Sequence, residues 1–204
     1  MIGFLKKDNV KDFRKYRWFY TSKGNLVVGG KSDEQNELVI KYFLKSNYWV
    51  VHTSSPGSPF MIIQNDNPSK DEIEESAIYC TCFSKQWKIL KNNNEKISID
   101  VFRGNQIYKT KFMKKGTFGV KGKIETIKVK PELILIIQMG KLRSIPRIKN
   151  EDKNFEILAE IKPGNMDKIK TADKIYKKIK DKYNYPVSKE EIMQVIPSDK
   201  MGVK

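Results

Sequence analysis

Five short runs rich in β-branched and aromatic residues follow one another between residues 97 and 139, with no helical pattern between them: ISIDVF, IYKTKF, TFGVKGK, IETIKV and LILIIQM. Strands joined by short polar turns pair antiparallel, because a parallel neighbour needs a crossover of a dozen residues or more. This succession excludes the regular strand–helix alternation of a nucleotide-binding sheet. The expected fold class is α+β: a mostly antiparallel sheet packed with two main helices, plus a C-terminal helical extension.

The rest of the chain fits that frame. Residues 16–30 read as a hairpin, RWFYT and LVVGG around the polar turn Ser22-Lys23-Gly24-Asn25. Ser32 caps a first helix reaching about Leu44. The runs YWVV and FMII flank a loop, residues 52–59, whose Ser-Ser-Pro-Gly-Ser-Pro composition demands turns. Ser69 and Glu72 form a capping box opening a second helix to about Leu90, with Ile73, Ala77, Cys80, Phe83 and Trp87 as its buried stripe. A polar turn, Asn92-Asn93-Asn94, follows. Beyond Gly140, FEILAEI is one more strand, Pro163-Gly164 breaks it, and 165–183 is a lysine-rich amphipathic helix with Ile169, Ala172, Ile175, Tyr176 and Ile179 on one face. Ser188 opens a last short helix. The expected division is 1–149 as the main domain and 150–204 as a strand-plus-helices extension that packs or docks.

The chain of 204 residues carries a formal charge of +16. Only five of its 40 basic residues are arginine (Arg14, Arg17, Arg103, Arg143 and Arg147), and such lysine richness also arises from codon bias alone. The distribution is more telling. Residues 105–150 hold 12 basic and 2 acidic side chains, and no composition bias concentrates charge that way. A polyanion is the expected partner, nucleic acid before membrane. No run approaches the ~18 apolar residues of a membrane span, and MIGFLKKDNV lacks the apolar core of a secretion signal. The expectation is an intracellular, cytoplasmic protein without membrane association.

Catalytic constellations are thin. Cys80, Cys82 and His52 are the only thiols and the only imidazole, too few for a four-ligand zinc site of the usual kind. On a helix the two cysteines point roughly 200° apart, from ~3.6 residues per turn, and read as packing residues. The chain has no nucleophile elbow, Walker loop or His-Glu-x-x-His motif. No catalytic residue, metal or cofactor is expected. Gly29-Gly30-Lys31-Ser32 closes a strand and precedes a helix, which makes either a cradle for one phosphate or a tight turn with a solvated lysine. His52 and Ser58, in the turn-rich loop, either shape it or contact phosphate or base.

The basic segment is the strongest physical signal. Lys109 and Lys111 alternate along an expected strand, Lys114-Lys115-Gly116 make a turn, and Lys121 and Lys123 repeat the i, i+2 spacing. Tyr108, Phe112 and Phe118 are interleaved. Lysine rows track a phosphate backbone and aromatics stack unpaired bases, as on an RNA-binding sheet surface; alternatively the aromatics face the core and the lysines are merely solvated.

These residues carry a resemblance. Tyr16-Arg17-Trp18-Phe19, Leu26-Val27-Val28-Gly29-Gly30-Lys31 and Gln35-Asn36-Glu37 resemble the opening signature of the NFACT-R domain family, the predicted RNA-binding module of NFACT proteins in ribosome-associated quality control. In order follow Trp49-Val50-Val51-His52 with Gly57 and Ile62-Ile63, similar to that family's histidine loop. Cys82-Phe83-Ser84-Lys85-Gln86-Trp87 is similar to its C-[YF]-S-x-x-W helix, and 115–123 to its G-[ST]-F-x-[IV]-[RK]-G-K block. The resemblance covers about residues 13–139. It implies an RNA-binding domain engaging tRNA or rRNA, with the large ribosomal subunit as a further partner, and does not extend to the remaining segments of full-length family members.

The expected RNA contacts are Arg17, Lys31, Asn36, His52, Ser58, Arg103, Lys109, Lys111, Lys114, Lys115, Lys121 and Lys123. Two further readings are an RNA-modification enzyme or accessory subunit using His52 as acid or base, and a non-catalytic adaptor that docks a protein partner through 150–204.

Overall fold

The computed structural model describes residues 10–90, 94–147, 156–183, 185–198 and 200–204. The expectations for the N-terminal decapeptide up to residue 9, for Asn92 and Asn93, for Phe155 and for the 149/150 junction itself lie outside those residues.

In chain order the strands are β1 (Arg17–Tyr20), β2 (Leu26–Gly29), β3 (Trp49–Thr53), β4 (Met61–Ile63), β5 (Ile97–Arg103), β6 (Ile107–Tyr108), β7 (Gly119–Val120), β8 (Glu125–Val129), β9 (Leu133–Gln138), β10 (Lys141–Pro146), β11 (Ala159–Met166) and β12 (Met201–Val203). The helices are α1 (Asp33–Phe43), α2 (Lys70–Cys82), α3 (Lys168–Tyr183) and α4 (Lys189–Val195). A six-stranded sheet runs β1-β2-β4-β3-β5-β8, a four-stranded sheet β10-β9-β11-β12, and β6 with β7 makes a small separate ribbon. Every pairing is antiparallel. The class is α+β with C-terminal helices.

Alternation along the first sheet sorts its side chains into two cores. Tyr16, Val28, Val50, Phe60, Ile62 and Phe102 pack under α1. Phe19, Val27, Val51, Met61, Ile63, Ile99 and Val101 face α2. Both cores draw on the same strands, which is why central strands read as unbroken apolar runs.

Helix α2 lies between the sheets, touching β3, β4, β5 and β8 on one side and β9 and β10 on the other. The single expected stripe is therefore too narrow. Cys80 and Cys82 point to different sides and are both buried. Ser76 and Thr81, also buried, donate to the carbonyls of Glu72 and Ala77 at 2.7 and 2.8 Å. The capping box at Ser69 is present, and Glu72 also accepts from Thr21 Oγ1 (2.9 Å) and Asn25 Nδ2 (2.6 Å), clamping the β1–β2 turn to the helix. The helix ends at Cys82 instead of Leu90. Ser84 Oγ then accepts from Gln86 N and starts a separate 3-10 turn, Lys85–Ile89.

Two further differences concern the C-terminal part. β11 runs through Pro163-Gly164: the register shifts between Pro163 and Met166, a bulge that tolerates proline. A Cβ on Gly164 would lie 2.3 Å from Gly202 N, so glycine there lets β12 approach. β10 follows β9 through Met139 and Gly140, both at positive φ, the two-residue turn suited to hairpin twist. The four-stranded sheet thus hydrogen-bonds strands from both sides of the 149/150 division, and Trp87 Nε1 donates to Lys200 O at 3.2 Å. Ala172, Ile175 and Ile179 of α3 are buried, while Ile169, in its first turn, is 67% exposed.

Candidate nucleic-acid interface

Arg17 opens β1 directly opposite Gly29, the last residue of β2, and Gly30–Ser32 leads from there into α1. Arg143 reaches the same place from β10, and Lys168 from the first turn of α3. Three elements and the β2–α1 connection thereby bring four cations to a cleft of adjoining hollows that share Arg17 and Lys31.

The cleft's main part, about 430 Å³, is lined by Arg17, Lys31, Phe83 and Lys168 together with Glu190, Met193, Gln194 and Ile196. An adjoining hollow of about 230 Å³ shares Arg17, Lys31 and Phe83 and adds Gly30, Asn36, Ser58 and Lys85. Arg17 and Arg143 also line a small recess of about 20 Å³, beside Tyr79.

The guanidinium groups are held flat on aromatic rings. Arg17 Cζ is 4.2 Å from the Phe83 centroid and Arg143 Cζ 3.9 Å from that of Trp18, while Arg143 also donates to the Trp18 carbonyl. The Nε atoms of both arginines are buried with no hydrogen-bond partner. Among the described residues no carboxylate lies within ion-pair distance of Arg17, Lys31, Arg143 or Lys168. Burial pushes both arginines below their ordinary range. Lys31, at the rim, is lowered by loss of hydration and then by the charges of Arg17 and Arg143; Lys168 is lowered by burial and then by Arg17. Arginine remains charged regardless. The cleft is a concentration of partly desolvated positive charge, the environment in which an anion gains most.

The backbone cradle expected at residues 29–32 is largely self-satisfied. Lys31 N donates to Gln35 Oε1 (3.0 Å), Gln35 N to Ser32 Oγ (3.3 Å), and Asn36 N to Ser32 O (2.8 Å). What the site offers is side-chain cations. Asn36 is only 8% exposed and its Oδ1 is unpartnered. It lies so close to the turn that a Cβ on Gly30 would sit 2.3 Å from Oδ1, so only glycine fits.

Of the sequence-predicted residues, then, Arg17, Lys31, Asn36 and Ser58 meet at the cleft. Ser58 is buried, its Oγ accepting from Thr53 N at 3.0 Å. His52 stands apart: its ring lies 4.4 Å from that of Phe60 and its Nδ1 is 2.7 Å from Thr53 O. Burial lowers its pKa, with Thr53 and Asp100 opposing, which leaves the imidazole neutral at pH 7. Arg103 stacks on Trp49 at 4.5 Å and donates to Asn47 O and Asp66 O, fastening a loop at another place on the sheet.

The basic segment differs from the expected strand surface. β6 ends at Tyr108, so Lys109 and Lys111 do not alternate on a strand; Gly122 is at φ +81°, so Lys121 and Lys123 flank a turn. Lys109 Nζ is held by Glu37, by Lys114 O (3.0 Å) and by Thr117 O (3.1 Å), and the Glu37 carboxylate also accepts from Gly116 N (2.7 Å). That lysine fastens the loop to α1. Phe118 packs on Phe60 beneath it, whereas Phe112 is 86% exposed. The turn at Lys114–Thr117 is present, and Lys115 pairs with Glu34 at 3.1 Å. Lys111, Lys114, Lys121 and Lys123 are exposed.

Sequence reasoning missed Arg143, Lys168, Lys85 and Phe83 as cleft residues. Phe83 and Lys85 stood inside a motif already singled out, and Arg143 is one of five arginines in a lysine-rich chain.

Comparison with known proteins agrees with this architecture. Over 200 residues the chain is 28% identical to the archaeal Rqc2 homolog aRqcH of Methanocaldococcus jannaschii, covering 92% of this chain and 28% of that protein. It is 30% identical over 132 residues to the ribosome quality control complex subunit NEMF homolog of Drosophila melanogaster (59% of this chain, 12% of that protein) and 22% identical over 225 residues to human NEMF (98% and 20%). The chain thus spans less than a third of the length of these relatives. The C-terminal structure of the fibronectin/fibrinogen-binding protein from Streptococcus suis shares the fold, with a TM-score of 0.50 and 22% identity over 57% of this chain and 45% of that one. The family profile described as NFACT protein RNA binding domain matches residues 15–122, more than half of the chain, and the chain therefore belongs to that family.

Proposed function

We propose that the chain binds RNA in ribosome-associated quality control or translation in the cytoplasm, that the RNA is tRNA or rRNA, and that it acts by binding and not by catalysis. The observation that carries this reading is the set of four cations, Arg17, Lys31, Arg143 and Lys168, gathered without a carboxylate partner among the described residues. Burying charge without an internal partner is costly, and a phosphate supplies the missing counter-charge. The exposed lysines of 111–123 add a second, solvated contact surface. Support for binding over catalysis comes from His52, whose ring nitrogen is engaged with the Thr53 carbonyl beside Phe60. The names of the relatives supply the ribosomal context.

The test is affinity for tRNA and for rRNA fragments as a function of salt. Lys111, Lys114, Lys115, Lys121 and Lys123 with one phosphate in the cleft correspond to about six neutralised charges and a slope of log K against log[salt] of about −5. A slope near zero overturns the proposal. His52→Ala should leave RNA affinity within about threefold, at the scale of surface substitutions; loss of an RNA-directed turnover in that variant would favour the enzyme reading.

A further inference from the structure

The cleft is larger than a phosphate needs, and its lining is mixed in chemistry. A phosphate with its oxygens fills a small part of 430 Å³, whereas cavities of that size hold small-molecule ligands. The cations suit an anion: two guanidinium planes are held on Phe83 and Trp18, and the recess of about 20 Å³ lined by Arg17 and Arg143 has room for one oxygen of a phosphate. The cleft also offers apolar surface from Met193 and Phe83, and hydrogen-bonding groups on Gln194 and Glu190. A flat heteroaromatic group with polar edges matches those side chains, and a phosphate at one end matches the cations.

Resting on the RNA-binding reading, we propose that the cleft takes a single unpaired nucleotide, its phosphate beside Arg17 and Arg143 with Lys31 and Lys168 alongside, and its base against Met193 and Gln194. Duplex RNA presents phosphates on a broad convex backbone, whereas a recess that pairs cations with apolar and hydrogen-bonding side chains suits a nucleotide out of the stack. The feature extends the charge argument from attraction to recognition, because Met193 and Gln194 contact the base. It also gives α4 a role, since Glu190, Met193 and Gln194 line the cleft together with Arg17 and Lys31.

The chemistry is shared by a nucleotide at an RNA end and by one flipped out of an internal position. The intact chain is titrated with 5′-mononucleotides, ribose 5-phosphate and inorganic phosphate, followed by calorimetry and by NMR of the arginine Nε–H groups. A mononucleotide should bind at least tenfold more tightly than ribose 5-phosphate, and Arg143→Met should weaken it at least tenfold. Lys168→Gln, at a side chain with no hydrogen bond or ion pair among the described residues, should weaken it severalfold and guards against misfolding of the first variant. Equal affinity for inorganic phosphate and mononucleotide overturns the proposal, as does the absence of saturable nucleotide binding. Short oligoribonucleotides with and without terminal phosphates then separate the sources: dependence on the terminal phosphate assigns an RNA end, independence assigns an internal nucleotide, and both support the site. If RNA binds with the expected salt slope while mononucleotides do not bind, this inference alone fails; if RNA does not bind, the function proposed above fails with it.

Discussion

The loop of residues 109–123 and the cleft around Arg17 are both cationic, but they hold their charge differently. In the loop, lysines stand in water, and Lys109, the one most engaged, is neutralised by Glu37. In the cleft, two arginines and Lys168 are drawn partly out of water, none of the cations there is ion-paired to a carboxylate among the described residues, and the guanidiniums are fixed on aromatic rings. A solvated lysine adds long-range attraction that salt screens. A desolvated, oriented arginine adds strength and direction only at contact. Counting charge along the sequence finds the first kind of region and overlooks the second.

The largest test of that contrast is Arg143→Met, which should reduce RNA affinity about 30- to 100-fold, the loss of charge-assisted hydrogen bonds worth about 2–3 kcal/mol. Arg143→Lys keeps the charge and should recover only part. If filter binding shows either variant weaker by less than the loop variants below, the contrast collapses. Gly30→Ala drives a methyl into Asn36 and should destabilise the fold by about 1–3 kcal/mol, lowering Tm by roughly 2–4 °C per kcal/mol, with loss of RNA binding at temperatures where the protein is folded. Replacing Lys121 and Lys123 together by alanine should weaken all RNAs alike, by severalfold, and reduce the salt slope by about 2.

Smaller effects sharpen the comparison further. Lys168→Met removes a half-buried cation that its neighbour Arg17 repels, so thermal unfolding should show unchanged or slightly higher stability, by up to about 1 kcal/mol, while RNA affinity falls. Stability and binding move in opposite directions there, as they do not in the loop. The last test is pH. Burial alone would raise the Glu37 carboxyl, but Lys109 and the Gly116 N–H hold it below the ordinary carboxylate range. Its contribution is therefore complete above the unfolded-state value of 4.5 and is lost as pH falls through the lower folded value. Hydrogen exchange at Gly116 should accelerate in that acidic range before the sheet amides do, and Glu37→Gln should reproduce the effect at neutral pH.

The parts legible in the sequence are those decided locally. The capping boxes at Ser69 and Ser188, the β1–β2 turn and the turn at Lys114–Thr117 each depend on residues three or four apart, and all are present. The family motifs likewise pointed to Arg17, Lys31 and Asn36, and the turn-rich loop to Ser58, whereas His52, also in a family motif, stands apart from the cleft. What escaped depends on distant partners. The i, i+2 spacing of Lys109 and Lys111 looks like a strand until Glu37, 72 residues away, captures Lys109. Pro163-Gly164 looks like a stop until β12, with Met201 opposite Pro163, pairs against it. Arg143 gained its place because a tight turn at Met139-Gly140 sends the chain back beside β9, and no periodicity marks that.

The pairing of the second sheet also sets an order in time. Trp87 is made 113 residues before Lys200, whose carbonyl its indole bonds. At about 5–20 residues per second, synthesis leaves that bond waiting roughly 6–20 s. The cleft shares the delay, because Arg17 and Lys31 emerge early while Arg143 and Lys168 come only with β10 and α3. A growing chain therefore displays its scattered lysines long before it owns an assembled cleft, and the cleft proposed for RNA is complete only when both sheets have been made.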